Sequence, residues 1–167
     1  DFFHYSLPSE FMLLSELLPL PPECDRPITG LTLNSHTVLP GNVFLAIAGT
    51  KTHGEIFIAT ALQKGAIAVL KETQKADIEM LAGGIPCISV PNLAQQLGEL
   101  AARFYGQPSR GMQVIGVTGT NGKTSTTHFI AQMLHSQSSS RPCGLIGTLG
   151  YGTYGALQPG LHTTPDA

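Results

Sequence analysis

The feature that most narrows the possible folds is a glycine-rich run held between a strand and a helix. Val114-Ile115-Gly116-Val117 has the composition of a buried strand, Gly119 to Gly122 form a glycine-rich turn, and Thr124 to His135 carry Phe129, Ile130, Met133 and Leu134 at helical spacing. Strand, turn and helix in immediate succession are the unit from which α/β domains are built. The turn also implies a chemistry. Gly119 and Gly122 let the backbone curl so that successive N–H groups point inward, and the N-terminus of the following helix favours an anion. Lys123 brings a positive charge for terminal phosphates and Thr124 a hydroxyl for Mg2+. On this reading Gly119, Thr120, Asn121, Gly122, Lys123, Thr124 and Ser125 hold the phosphate chain of a nucleotide, Lys123 is the catalytic cation and Thr124 the metal ligand.

The common phosphate-loop pattern has a glycine five positions ahead of its Gly-Lys pair. Here that position is Val117, and the neighbouring glycines are Gly116 and Gly119. The departure speaks against a generic GTPase or transport ATPase and for a variant class of loop. The competing reading, that the glycines only make a tight strand-to-helix turn, leaves a lysine and two hydroxyl residues in the right places without a reason.

The sequence ahead of this loop also alternates strand and helix. Ser9 is placed to cap a short helix bearing Phe11, Leu14, Leu17 and Leu18, which Pro19, Pro21 and Pro22 end. Leu31-Thr32-Leu33 and Val43 to Ile47 read as strands separated by Pro40-Gly41-Asn42. Ile56 to Gln63 reads as a helix with Gly65 at its end, and Ala66 to Leu70 and Cys87 to Val90 as further strands. Asn92 is placed to cap a helix with Leu93, Leu97, Leu100, Ala101 and Phe104 along one stripe, and Gly106 ends it. Gln107 to Gly111 is rich in Pro, Gly and polar residues, which sets a domain boundary there: residues 1–108 form a small α/β domain and residues 109–167 the first part of a second. After the second helix come a loop at Ser138-Ser139-Ser140, a short strand at Leu145-Ile146, and a turn or hairpin marked by glycines 147, 150, 152 and 155.

Composition excludes several classes. A formal net charge of −2 over 167 residues leaves no basic field to gather nucleic acid or anionic membrane. The apolar stretch from Phe11 to Leu20 is too short and too interrupted to span a bilayer, so no membrane insertion is expected. The three cysteines, Cys24, Cys87 and Cys143, are odd in number and lack C-x-x-C spacing, which fits reduced thiols in a cytoplasmic protein. His4, His36, His53, His128, His135 and His162 show no metal-ligand spacing; His128 and His135, on one helix, read as surface or packing positions. Paired helical carboxylates of the glycosidase kind are absent. Opening at Asp1 and closing at Ala167 after a Thr-Thr-Pro run, the chain is expected to be a piece of a longer protein.

Gly116-Val-Thr-Gly-Thr-Asn-Gly-Lys-Thr124 resembles the ATP loop of the Mur ligases, the amide-forming enzymes of cell-wall precursor synthesis, and of their relative folylpolyglutamate synthetase. Leu31-Thr-Leu-Asn-Ser-His36 and Pro40-Gly-Asn-Val-Phe-Leu-Ala-Ile-Ala-Gly49 resemble the N-terminal domain of the branch that adds the third peptide residue. Phe104-Tyr105 with Pro108-Ser109, and His162-Thr163-Thr164-Pro165, extend the likeness from Leu31 onward.

The resemblance implies an N-terminal α/β domain that binds a UDP-sugar, followed by the start of an α/β ATP-binding domain. Leu33 and Ser35 match positions that touch the uridine, and Thr50, Lys51 and Thr52 match a loop that lines the same site. Thr163 and Thr164, with His162 before them, match residues that meet the muramoyl-peptide near the γ-phosphate. Relatives often carry His at the position of Thr50 and Asn at that of His162. On residue type alone, Ser35 also suits a turn and Lys51 a solvated charge.

The implied reaction is ATP-dependent addition of a diamino acid, meso-diaminopimelate or L-lysine, with the former the commoner choice, to UDP-N-acetylmuramoyl-L-alanyl-D-glutamate. It proceeds through an acyl phosphate, in a monomeric cytoplasmic enzyme. The modified lysine and the amino-acid-selecting domain are expected past Ala167, so these 167 residues alone are expected to form no amide. The alternatives are another ligase of the same superfamily with a different acceptor, and a non-catalytic nucleotide-sugar module, against which the intact Lys123-Thr124 pair counts.

Overall fold

A computed structural model describes residues 12–48, 54–137 and 142–160. The chain divides into two compact units, residues 5–112 and residues 113–166. The expected Ser9 cap, Phe11 and the 138–140 loop lie outside the described residues.

The first unit is built on a five-stranded sheet. Its strands are β3 (Gly30–Thr32), β4 (Asn42–Ala46), β5 (Ala68–Thr73), β6 (Asp77–Leu81) and β7 (Ile85–Pro91), in the order β3-β4-β5-β7-β6. All pairings are parallel except that of β6 with β7. A separate two-stranded pairing joins β1 (Met12–Leu13) to β2 (Pro27–Ile28).

Both faces of the large sheet are covered. Leu31, Val43, Leu45, Ala68, Leu70, Ile88 and Val90 share a core with Leu14 and Leu17 of the single-turn helix α1 (Leu14–Leu17) and with Leu93, Leu100 and Phe104 of α3 (Leu93–Phe104). The opposite parity, Phe44, Ala46, Val69 and Cys87, packs with Ala61 of α2 (Ile58–Gln63) and with Val38 and Ala66. Strands buried on two sides need no polar alternation, which is why β4 reads as a continuous apolar run.

Both glycine stop signals work as expected. After α2, Gly65 has φ +100°, its N–H donates to Leu62 O, and Ala66 N–H donates to Ala61 O. After α3, Gly106 has φ +68°, its N–H donates to Arg103 O, and Gln107 N–H donates to Ala102 O. Each pair of bonds satisfies helix-end carbonyls that otherwise lack donors.

Other expectations change. The first helix shortens to one turn, in which Glu16 accepts from Leu13 N–H at 2.8 Å. There Asp25 accepts from the N–H and Oγ of Ser15, and the backbone bond foremost holds its carboxyl below the usual range. Asn92 occupies the N-cap position of α3 but has φ 53° and makes no side-chain cap bond; the cap comes from Glu72 of β5, whose Oε1 accepts from Ala94 N–H at 3.2 Å. The edge strand β6 has no counterpart in the sequence reading; its residues are almost all exposed, and the alternation of Ile78 and Met80 with Asp77 and Glu79 was the signal available for it.

Arg26 spends its guanidinium on backbone carbonyls, donating to Cys24 O, Ile67 O and Gly84 O at 3.2 Å each. It thereby ties the segment before β2 to the approaches of β5 and β7. Lys71 pairs with Glu79 at 2.8 Å, a bond that raises the lysine and lowers the carboxylate. Next to this pair, burial pushes the Cys87 thiol up to about 11.

The second unit holds α4 (Lys123–Gln137) and a three-stranded antiparallel meander, β8 (Gly144–Gly147), β9 (Gly150–Thr153) and β10 (Ala156–Gln158). The expected buried strand Val114–Val117 is corrected here: residues 113–119 form no strand, and Val114 and Ile115 are 71% and 50% exposed. A strand exists only through its ladder, and β8 to β10 pair with one another instead. Phe129, Met133 and Leu134, the apolar residues noted at helical spacing on α4, are likewise exposed.

Leu70, with no exposed surface at the sheet centre, should lose about 2–5 kcal/mol on Leu70→Ala. Met80→Ala on the edge strand, where Met80 is 51% exposed, should change stability by less than about 0.5 kcal/mol. Urea unfolding measures both, and equal effects would contradict the assigned core. Because Cys24 and Cys87 are buried and Cys143 is partly accessible, a thiol reagent at mildly alkaline pH should label Cys143 first. The other two should react only on unfolding; early labelling of Cys87 would refute its burial.

Candidate functional site

The phosphate-loop candidates sit together on one turn and the helix it feeds. Gly119 has φ +147° and Gly122 φ +76°, backbone conformations that side chains resist. A Cβ on Gly122 would meet open space, so the need for glycine there is conformational. Thr126 N–H donates to Gly122 O at 2.9 Å, which makes Gly122 the residue that caps α4. The N–H groups of Lys123, Thr124 and Ser125 therefore fall in the first turn, where no helical carbonyl lies behind them.

Lys123 folds back so that Nζ donates to Gly119 O at 2.5 Å, placing the ammonium across the turn. Thr127 Oγ1 donates to Thr124 O at 2.9 Å, one turn further on. Beside these residues lies a cavity of about 180 Å3, lined by Lys123, Thr124, Thr127 and His128 of α4 and by the β8–β9 turn from Leu145 to Gly150. The sequence marks this turn by Gly147 and Gly150 but does not join it to the phosphate loop, and His128 reads there as a surface or packing residue. The packing part holds, since the His128 and His135 rings stand 6.3 Å and 5.6 Å from that of Tyr154. The helical offset of four from Thr124 to His128 was the signal available for the cavity position.

The residues present fit a magnesium nucleotide. A loop at positive φ, free helix N–H groups and one ammonium suit a polyphosphate. Among the described residues no group of three or more His, Cys, Asp or Glu could hold a metal. A Mg2+ ion would thus rely on the Thr124 hydroxyl together with phosphate oxygens, an ordinary arrangement for this ion.

In the first unit, Leu33 and Ser35 follow β3. Leu33 packs against the edge of the larger core, and Ser35 is 4% exposed. The turn around Ser35 is held by Thr37 N–H donating to Asn34 O and His36 N–H donating to Asn34 Oδ1. Parallel strands end at the same edge, so Leu33, Ala48 after β4, Glu72 in β5 and Asn92 after β7 share one rim of the sheet, where ligands of open α/β sheets bind. Thr50, Lys51, Thr52, His162, Thr163 and Thr164 lie outside the described residues. No described helix is long and apolar enough to cross a membrane.

Comparison with known proteins matches residues 27–105 to the Mur ligase family, catalytic domain, and residues 117–167 to the Mur ligase middle domain. The UDP-N-acetylmuramoyl-L-alanyl-D-glutamate--2,6-diaminopimelate ligase of Pseudomonas syringae pv. tomato is 51% identical over 85% of this chain and 28% of its own length. That of Pseudomonas aeruginosa is 50% identical over 93% of this chain and 31% of its own. A solved structure of a ligase of the same name matches with a TM-score of 0.68 at 29% identity, over 93% of this chain and 31% of the other. The MurF ligase of Thermotoga maritima, solved in complex with ADP, matches with a TM-score of 0.51 at 29% identity, over 71% of this chain and 25% of the other. The chain thus spans less than a third of the length of these relatives. With its two units matched in turn by consecutive domain models of one family, and with the glycine loop at the start of the second, the chain belongs to the Mur ligases.

Proposed function

We propose that this chain is the nucleotide-sugar domain and the ATP loop of a ligase that joins meso-2,6-diaminopimelate to UDP-N-acetylmuramoyl-L-alanyl-D-glutamate. The observation that carries the proposal is the turn at Gly119 and Gly122, with Lys123 across it and Thr124 on the adjoining cavity. The substrate assignment draws on relatives near 50% identity that bear that enzyme's name. That a solved relative holds ADP favours ATP as the nucleotide. A monomeric, cytoplasmic enzyme of peptidoglycan synthesis, acting in cell shape and division, belongs to the same proposal.

The first chemical step is phosphorylation of the glutamate carboxylate. Carboxylate and γ-phosphate are both anionic, and their repulsion must be offset before in-line transfer. Lys123 and the N–H groups of Lys123, Thr124 and Ser125 place fixed positive charge and dipoles on the phosphate side. Mg2+, when bound at Thr124, adds charge neutralisation between the phosphates. The acyl phosphate so formed carries a good leaving group, and the amine of the incoming diamino acid displaces it. Thr163 and Thr164, with His162, belong to the acceptor side of this reading; Leu33, Ser35, Thr50, Lys51 and Thr52 belong to the uridine side, which holds the substrate at a distance from the reacting atoms.

In the full-length enzyme, Lys123→Ala should cut phosphate release at least about a hundredfold, the loss typical of removing one preorganised charge-stabilising group. Unchanged turnover would refute the role. Gly122→Ala puts a Cβ into the left-handed region at a cost of roughly 1–2 kcal/mol, which the free loop escapes by relaxing and which ATP binding must then restore, so ATP affinity measured by calorimetry should fall about tenfold while thermal stability changes little. Equal affinity would mean that the turn does not hold the nucleotide.

A further inference from the structure

Thr127 and His128 follow Thr124 by three and four positions on α4, so the three side chains share one face of the helix. That face borders the cavity beside the phosphate loop, with Lys123 at its start and the β8–β9 turn opposite. The turn is held from behind. Gly147 pairs with Gly150 across it, and Gly150, at φ +120°, lies so close to β10 that a Cβ would strike Gln158 O.

Most of the polar side chains on this cavity are already committed. Lys123 carries only donors and directs one at Gly119 O, and the Thr127 hydroxyl gives its hydrogen to Thr124 O. Thr148 sits on the exposed tip of the turn, and the described lining residues include no Asp or Glu. His128 differs. Among the described residues nothing hydrogen-bonds its half-buried ring, which stands edge-on to Tyr154 with centroids 6.3 Å apart. Tyr154 is tied to the approach of β8 through its N–H, which donates to Cys143 O at 2.8 Å. Packing thus orients the His128 ring and leaves its nitrogens available, one to accept and one to donate when the imidazole is neutral.

Given the reading of Gly119 to Ser125 as an ATP loop with Thr124 on its metal, we infer that His128 is a positioning residue for Mg2+: its accepting nitrogen takes a hydrogen bond from a water of the ion that Thr124 holds. Residues one turn apart on one helix face can converge on the same ion. Mg2+ prefers oxygen to imidazole nitrogen and keeps several waters beside a nucleotide, so the contact runs through a water and not directly. Outer contacts of this kind orient the inner ligands and strengthen metal binding. On a cavity whose described lining has no carboxylate, His128 supplies the missing acceptor.

The test titrates ATP by calorimetry into the full-length protein without its acceptor substrate, once with Mg2+ and once with EDTA. Wild type, His128→Phe, His128→Gln and Lys123→Ala are compared, and melting temperatures are recorded. Phenylalanine keeps a ring against Tyr154 and removes both nitrogens, whereas glutamine brings back an accepting oxygen. The factor by which Mg2+ tightens ATP binding should fall about tenfold in His128→Phe, while affinity in EDTA stays within about twofold. His128→Gln should restore most of the Mg2+ effect. Equal weakening with and without Mg2+, or a lower melting temperature with the Mg2+ factor unchanged, would mean that the ring only packs, which overturns the inference. A glutamine that behaves like phenylalanine, or a wild type indifferent to Mg2+, overturns it as well. Lys123→Ala keeps the two readings apart: if it weakens ATP binding in EDTA and His128→Phe leaves the Mg2+ factor alone, the loop stands and the role of His128 falls. If Lys123→Ala has no effect on ATP binding, both fall together.

Discussion

Parallel pairing obliges β3, β4, β5 and β7 to finish at the same edge, and most of what the first unit can do follows from that. The pairing works only because α1 and α3 cover one face and α2 the other, since a parallel sheet with an open apolar face would not be stable in water. Once both faces are closed, the rim is where chain segments are free to vary and polar groups can converge. Leu33, Ser35, Ala48, Glu72 and Asn92 arrive there from separate parts of the sequence through the ladder alone.

The second unit depends on a local constraint. Two glycines at positive φ let the chain turn sharply into α4, and the first turn of that helix then presents N–H groups with no helical acceptor. Lys123 and Thr124 are positioned by the helix start itself, so little tertiary support is needed to define them. The cavity beside them is a different matter, since its second wall is the β8–β9 turn, some twenty residues further along the chain.

Legibility followed the range of the interaction. Gly65 and Gly106 were readable as helix ends because the bonds they permit span only a few residues. The central strands were readable because burial on both faces leaves an apolar run in each. Asn92 was misleading: its residue type suits a cap, yet the acceptor comes from Glu72, twenty-two positions before the donor Ala94. Strand β6 carried only a short alternation, Ile78 and Met80 between Asp77 and Glu79, and its place at the sheet edge is set by pairing with β7. The apolar run at Val114 to Val117 pointed to a strand, but composition cannot supply a ladder partner.

By itself, the sequence determined the loop Gly119 to Ser125, the helix that follows it and the alternation that makes the chain α/β, since these rest on backbone conformation and side-chain spacing within a few residues. Only the tertiary structure decided which strand ends meet at one rim, that Glu72 caps α3 and holds Ala48, and that His128 borders the cavity next to Lys123 and Thr124. Those are contacts between residues distant along the chain, fixed by sheet register and by which faces become buried, and neither is written in any short stretch of residues.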